Sequence, residues 1–446
     1  MQPEVIFNSK KDLKKINLND FIDRNSDFLK NEFLSIIENT REKKIFNKRL
    51  KDFFQLNKFV NLWDLSHFNE KNIFKEDYIN SCLQYLAIVK IIQNYNIKEF
   101  SLNNVDKKIL NILKKYNKNI NFKILKKKKK NLKDDLKIFI LGNWFISLIY
   151  FLKNNISFHK KQNKVNYDNK NLIISYFCHY EKNFEKNAFF VSDHWKGLEK
   201  HIKKKFFYLN FFIPSKKYKS YQSLKKNINN KIVNIKDKNF LNNYFYLNDL
   251  IKIIFYSFIY SWKFYFLYLI LKNKKDSKIA LLELSYKIQK RSFSGITCFD
   301  NLKNYYTLKK FFGLNPNIRK CIYLMENQSW EKILLKFCNT KNIISYGYVH
   351  ATMPFWHLNY YQTKVLNKKN IYLPDKIFTV SRINLDLLTK QGISRNKIEL
   401  VEALRYEWLN KIKKKIFSSN SNKILVFGDY DKKLNDKLFR LIKNFL

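Results

Sequence analysis

Between residues 321 and 401, short apolar runs end in polar clusters and pass into helical stretches. The runs are 321–325, 343–348, 376–380 and 398–401, with helices predicted over 329–338 and 382–391. Strands alternating with helices at this spacing predict a parallel sheet, because each crossover must return the chain to the same edge. Eight of the twelve glycines and prolines fall after residue 290, where turns of defined geometry are needed. The rhythm reaches back along the chain. Strands are predicted at 97–102, 120–125, 172–177, 205–212 and 279–284, and helices over 77–95 and 106–116. Residues 1–60 read as charged helices, and a last strand is predicted at 423–427.

Two apolar stretches interrupt the pattern. Residues 138–152 hold no charge but are shorter than the ~20 residues needed to span a bilayer. Residues 250–271 carry Lys252 and Lys263, which project within about 20° of each other on a helix, with Tyr256 beside them. One polar stripe on an aromatic helix fits burial in a core or a position in the plane of a membrane interface. Lys126 to Lys130 reads as a solvated loop or a contact to phosphate or lipid headgroups.

Apolar residues make up 46% of the 446-residue chain, enough for a sizeable core. The net charge of +49 suggests an anionic partner. Much of the Lys, Asn, Ile, Phe and Tyr content also follows from AT-rich codon usage, and the lysines spread evenly without a recognisable nucleic-acid-binding module. No nucleic-acid partner is therefore expected. The five cysteines, Cys82, Cys178, Cys298, Cys321 and Cys338, form no Cys-x-x-Cys pair and read as core thiols of a reducing compartment. The N-terminus has no secretory pattern, which places the chain in the cytoplasm.

Chemistry is expected where predicted strands end, because parallel sheets bind ligands beyond their carboxyl edges. The run 321–325 ends in Glu326-Asn327-Gln328-Ser329-Trp330-Glu331. Glu326 suits acid–base work, and Asn327 and Gln328 suit hydrogen bonds to hydroxyls; Glu331 either binds substrate or, like Glu326, caps the following helix. The next run ends in His350-Ala351-Thr352-Met353-Pro354. His350 is a candidate general base or a hydrogen-bond donor to phosphate, or else a core histidine bonded to backbone. His357 is a further candidate. The fourth run leads to Glu402-Ala403-Leu404-Arg405-Tyr406, where Arg405 binds phosphate or forms an inter-domain salt bridge. No phosphate-loop, dinucleotide, nucleophile-elbow or zinc-protease motif occurs. Asp429-Tyr430-Asp431 reads as a metal–nucleotide site or a solvated turn.

Trp63-Asp64-Leu65-Ser66 with Glu70-Lys71, the segment from Glu326 to Glu331, His350 with Pro354, Pro374-Asp375, and the segment from Glu402 to Tyr406 together resemble the ordered motifs of a family of bacterial surface carbohydrate biosynthesis proteins, over about residues 60–430. More remotely, 343–409 resembles the glycerophosphotransferases of teichoic-acid assembly and related capsule enzymes. In those a strand leads to a His-Gly-Thr-Pro segment whose histidine is taken as the base. The counterpart here has alanine for glycine and one more residue before the proline, and their Gly-x-Pro-Arg segment is matched only through Arg405.

The resemblance implies an α/β fold of GT-B type: two Rossmann-like domains facing a cleft, the donor nucleotide mostly on the second, with no metal required. It implies transfer from a nucleotide sugar, which is substrate and not cofactor, to a lipid-linked or glycan acceptor at an anionic membrane surface. The expected layout is an N-terminal α/β region over 1–165, a Rossmann-like domain over 166–418 with a helical insertion near 249–272, and the start of a second Rossmann domain over 419–446. That second domain is expected to be largely missing, so that the chain is truncated or a second polypeptide supplies the rest. Two other readings stay open: an inactive partner subunit, and a basic nucleic-acid-binding protein.

Overall fold

The computed structural model describes residues 3–9, 12–73, 77–116, 121–127, 140–155, 171–179, 192, 194–195, 206–230, 238–272, 280–361, 372–404, 406, 426–428 and 432–445. The chain divides into two compact units, Met1–Arg405 and Tyr406–Leu446. The first unit holds two main sheets.

The chain begins with an antiparallel pair, β1 (Glu4–Ser9) and β2 (Asp12–Asn17), and not with the helices expected there. The alternation in Glu4-Val5-Ile6-Phe7 explains this, since Val5 and Phe7 are buried while Glu4 and Ile6 are half-buried. Helices α1 (Leu18–Arg24) and α2 (Ser26–Glu42) follow. Next comes a short hairpin, β3 (Lys44–Ile45) and β4 (Lys48–Arg49). After the one-turn α3 (His67–Glu70) and α4 (Tyr78–Tyr95) come β5 (Glu99–Val105), α5 (Lys107–Tyr116) and β6 (Asn121–Lys127). These complete a four-stranded mixed sheet in the order β2-β1-β5-β6. Lys126 and Lys127 belong to β6, so the lysine run begins inside a strand; its remainder lies outside the described residues.

The helix α6 (Ile140–Asn155) leads to β7 (Asn171–Tyr176), β8 (Phe206–Phe211), α7 (Tyr221–Asn230) and β9 (Lys238–Phe240). A helical layer follows: α8 (Leu247–Lys272), α9 (Ala280–Leu284), α10 (Tyr286–Ser294) and α11 (Ile296–Leu314). α9 occupies the strand expected at 279–284. Its Ala and Leu residues are strong helix formers, and four of its five residues are buried. The chain then returns to the sheet with β10 (Lys320–Leu324), α12 (Ser329–Thr340), β11 (Ile344–Val349), β12 (Lys376–Thr379), α13 (Arg382–Lys390) and β13 (Ile398–Leu400).

All seven strands from β7 to β13 pair in parallel, in the order β13-β12-β11-β10-β7-β8-β9. The protein is thus mixed α/β with a Rossmann-like parallel sheet: β7 starts inside the sheet, β8 and β9 run outward one way, and β10 to β13 the other. The period of two sends alternate side chains to opposite faces. Leu172, Ile174, Phe207, Leu209, Cys321 and Tyr323 join the large core shared with the N-terminal sheet. Ile173, Tyr208, Leu324 and Tyr348 join a second core under Trp195 and α7. Covering on both faces is what a parallel sheet requires. Gly347 in β11 is tightly approached, since a Cβ there would lie 2.9 Å from the Met325 sulfur and 3.1 Å from Pro374.

Four cysteines are core thiols as expected, whereas Cys178 is exposed. In the second unit, α14 (Lys432–Phe445) is helical. The strand expected at 423–427 lies largely outside the described residues; Val426 and Phe427 are in no strand. Asp429-Tyr430-Asp431 also lies outside them.

Candidate functional site

The strand order reverses between β7 and β10, and the crevice beyond their carboxyl ends is where such sheets take ligands. At the end of β7, Tyr176 is followed by a single 3₁₀ turn, Phe177–His179. At the end of β10 stand Met325, Glu326, Asn327 and Gln328. At the end of β11 stands His350, and beyond β13 the exposed Glu402.

Local chemistry holds the β10 loop in one shape. Gln328 is the N-cap of α12, and Glu331 completes the capping box. The buried Glu331 carboxylate accepts the backbone N–H groups of Glu326 (3.1 Å to each oxygen), Asn327 (2.9 Å) and Gln328 (3.2 Å). Burial pushes its carboxyl well above the usual range and Glu326 adds to this, while the N–H groups pull the other way. Asn327 adopts a left-handed backbone at φ 56°, which asparagine tolerates. Glu331 therefore fixes the loop from behind, its oxygens taken up by backbone N–H groups.

A hydrogen-bond relay reaches Glu326. The Trp330 indole N–H donates to the Tyr176 hydroxyl (2.6 Å), which donates to the Gln328 side-chain Oε1 (3.1 Å). The Gln328 amide then donates to a Glu326 carboxylate oxygen (2.5 Å). Burial holds the Tyr176 phenol well above its ordinary pKa, so it stays a neutral donor. From the far side, Asn359 donates to the Glu326 carbonyl (2.5 Å) and Tyr360 to the Met325 carbonyl (3.0 Å).

Three histidines cross the same edge. The His179 ring lies 4.3 Å from that of His194, which lies 4.6 Å from His350. His179 also meets Tyr176 edge-on at 5.5 Å. The residues after His350 are held by the buried Asn384 of α13, which donates to the Ala351 carbonyl (2.8 Å) and accepts the Met353 N–H (3.0 Å). His357 lies further along this loop, its ring against Tyr360, and burial lowers its pKa.

Glu326, Asn327, Gln328 and His350 thus stand at neighbouring strand ends, as the sequence suggested. Arg405 lies outside the described residues. His179, His194, Tyr176 and Trp330 were not selected from the sequence. The one available signal was that His179 comes within three residues of the end of an apolar strand.

The Trp63-Asp64-Leu65-Ser66 and Glu70-Lys71 motifs build something else, a buried ion network against α12. Asp64 takes a two-pronged salt bridge from Arg41 (2.7 and 3.1 Å) and a hydrogen bond from Tyr372 (2.8 Å), and its carbonyl accepts from Lys332 (2.8 Å). Burial works to raise the Asp64 carboxyl, but Arg41 and Tyr372 outweigh it and hold it low. Burial, reinforced by Lys332, lowers Lys71 to about 7. Asp375 of the Pro374-Asp375 motif sits at the opposite edge of the sheet, accepting the Ser345 N–H and hydroxyl at 2.8 Å. Two cavities of about 410 and 440 Å³ lie away from the crevice. One is at that opposite edge beside Asp375, the other beside Asp23, Asp77 and Trp356. The edge cavity faces the amino ends of the strands, where parallel sheets do not bind substrates. Among the described residues, no group of three His, Cys, Asp or Glu is arranged to hold a metal ion.

No protein-family model, curated protein or solved structure matches this chain.

Proposed function

We propose that the protein is a glycosyltransferase-like enzyme of GT-B type in surface polysaccharide assembly, moving a sugar from a nucleotide-activated donor to a lipid-linked or glycan acceptor at the cytoplasmic face of a membrane. One observation carries the reading. The relay ending on Glu326 and the row His179–His194–His350 gather along the carboxyl edge of the sheet around the switch point. The motif resemblance supplies the reaction class.

His350 or Glu326 takes the proton of the acceptor hydroxyl. The acceptor oxygen forms a bond to the anomeric carbon as that carbon's bond to the nucleotide diphosphate breaks, and the electron pair leaves with the phosphate. Histidine N–H groups, Asn327, Gln328 and Arg405 supply donors to the departing charge and to the sugar hydroxyls, with Glu402 at the rim of the substrate. The intact chain, given a panel of nucleotide sugars and a lipid-linked sugar acceptor with free hydroxyls, transfers sugar, and His350→Ala or Glu326→Gln lowers kcat about hundredfold. Absence of transfer from every donor, together with absence of nucleotide-sugar binding, contradicts the proposal.

A further inference from the structure

Helix α8 packs one face into the core through Ile253, Tyr260, Phe264, Leu267 and Leu271. A surface helix of a soluble protein turns polar residues outward on its other face. Here the outward stripe reads Leu247, Ile251, Phe255, Phe258, Trp262, Phe266 and Leu269, each between 40% and 61% exposed. Spaced three or four residues apart, these seven run the length of the helix, roughly 39 Å at 1.5 Å per residue. By length and composition the helix is also apolar enough to cross a membrane, but its core-packed face argues against lipid on all sides.

Two neighbours widen the stripe. The Trp144 indole of α6 donates to Ser257 (2.9 Å) and its ring meets Phe258 edge-on at 5.3 Å. The exposed residues of α6 begin one position further on, with Phe145, Ile146, Ile149 and Tyr150. At the other end the β3–β4 hairpin presents Phe46, 69% exposed and stacked on Phe266 at 6.2 Å. Exposed Lys44 and Lys48 stand beside Phe46 in the chain, while Arg49 is paired with Asp52 (2.8 Å). An apolar surface of this extent marks an interaction site.

We infer that α6, the outer stripe of α8 and the Phe46 hairpin form one surface that lies in the plane of an anionic bilayer, aromatic side chains in the acyl boundary and hairpin cations on the headgroups. Charge selects this occupant. A second copy of the chain would bring another net charge of +49 to the same face, whereas an anionic leaflet attracts it. Trp and Tyr along the stripe suit the headgroup boundary. The surface deepens the transfer proposal by naming how the enzyme reaches a lipid-linked acceptor. Vesicle binding is read without any sugar, so either idea can fail alone.

The test is co-sedimentation of the full chain with vesicles of phosphatidylcholine alone and of phosphatidylcholine mixed with phosphatidylglycerol. The chain partitions onto the anionic vesicles. Phe255→Ser and Phe266→Ser each weaken partitioning about tenfold with the melting temperature unchanged. Lys44→Glu combined with Lys48→Glu removes the preference for phosphatidylglycerol. Retention in the supernatant with anionic vesicles overturns the inference. So does partitioning indifferent to Phe255 and Phe266, or sedimentation equilibrium showing a dimer that Phe255→Ser dissociates.

Discussion

Glu331 and Lys71 show how much depends on single buried ionisable groups. The buried Glu331 side chain receives three backbone N–H groups, of which that of Asn327 is itself in a buried residue. Glu331→Gln keeps one acceptor and sets an amide N–H against backbone donors, so urea unfolding should report a loss of about 1–3 kcal/mol. Lys71 works in the opposite sense. Its ammonium titrates near 7 when folded, against an ordinary 10.5. Across that window the unfolded chain holds a proton that the folded chain has released, so this lysine makes stability rise with pH from about 7 towards 10.5. Below pH 7 its burial cost is present in full. Lys71→Met should therefore stabilise the protein below pH 7 and flatten the rise above it, as measured by urea midpoints across the window. An unchanged slope would show that Lys71 does not cause it.

At the scale of elements, the parallel strands were the legible part. β7, β8 and β10 are short apolar runs buried on both faces, as Cys321 and Tyr323 are on one and Leu324 on the other, whereas the edge strand β9, Lys238–Phe240, carries no such run and was not legible. The segment 279–284 carries the same apolar signal but packs as a helix, because short apolar runs do not distinguish the two. The first hairpin was hidden by surrounding charge, with only Val5 and Phe7 to mark its inner face. Loop tethers were not legible at all, since they depend on contacts between elements. Asn384 is one: on α13, it holds the segment after His350 by two hydrogen bonds. Asn384→Ala should cost about 1–3 kcal/mol of stability by urea unfolding, and should lower kcat more than it raises KM. A variant with altered KM alone would place the tether on substrate binding.

Over the first unit as a whole, topology assembles what sequence distance conceals. His179 and His350 are far apart in the chain, yet the order β11-β10-β7 sets their strand ends one strand apart. Glu326 and His350 were legible because each follows its strand directly; His194 was not, because no strand end precedes it. The Asp64 network joins α2, the segment after it, α12 and Tyr372. Asp64→Ala strands a buried Arg41 and should cost about 3–5 kcal/mol in chemical denaturation.

The most direct test of the switch-point site uses Cys178, the one exposed cysteine, next to His179. Thiol alkylation of the intact chain should label Cys178 first, and a bound nucleotide-sugar donor should slow that labelling while leaving unliganded His350→Ala labelled at the wild-type rate. Labelling of Cys178 unchanged by every donor the protein binds would contradict a donor site at the β7–β10 crevice.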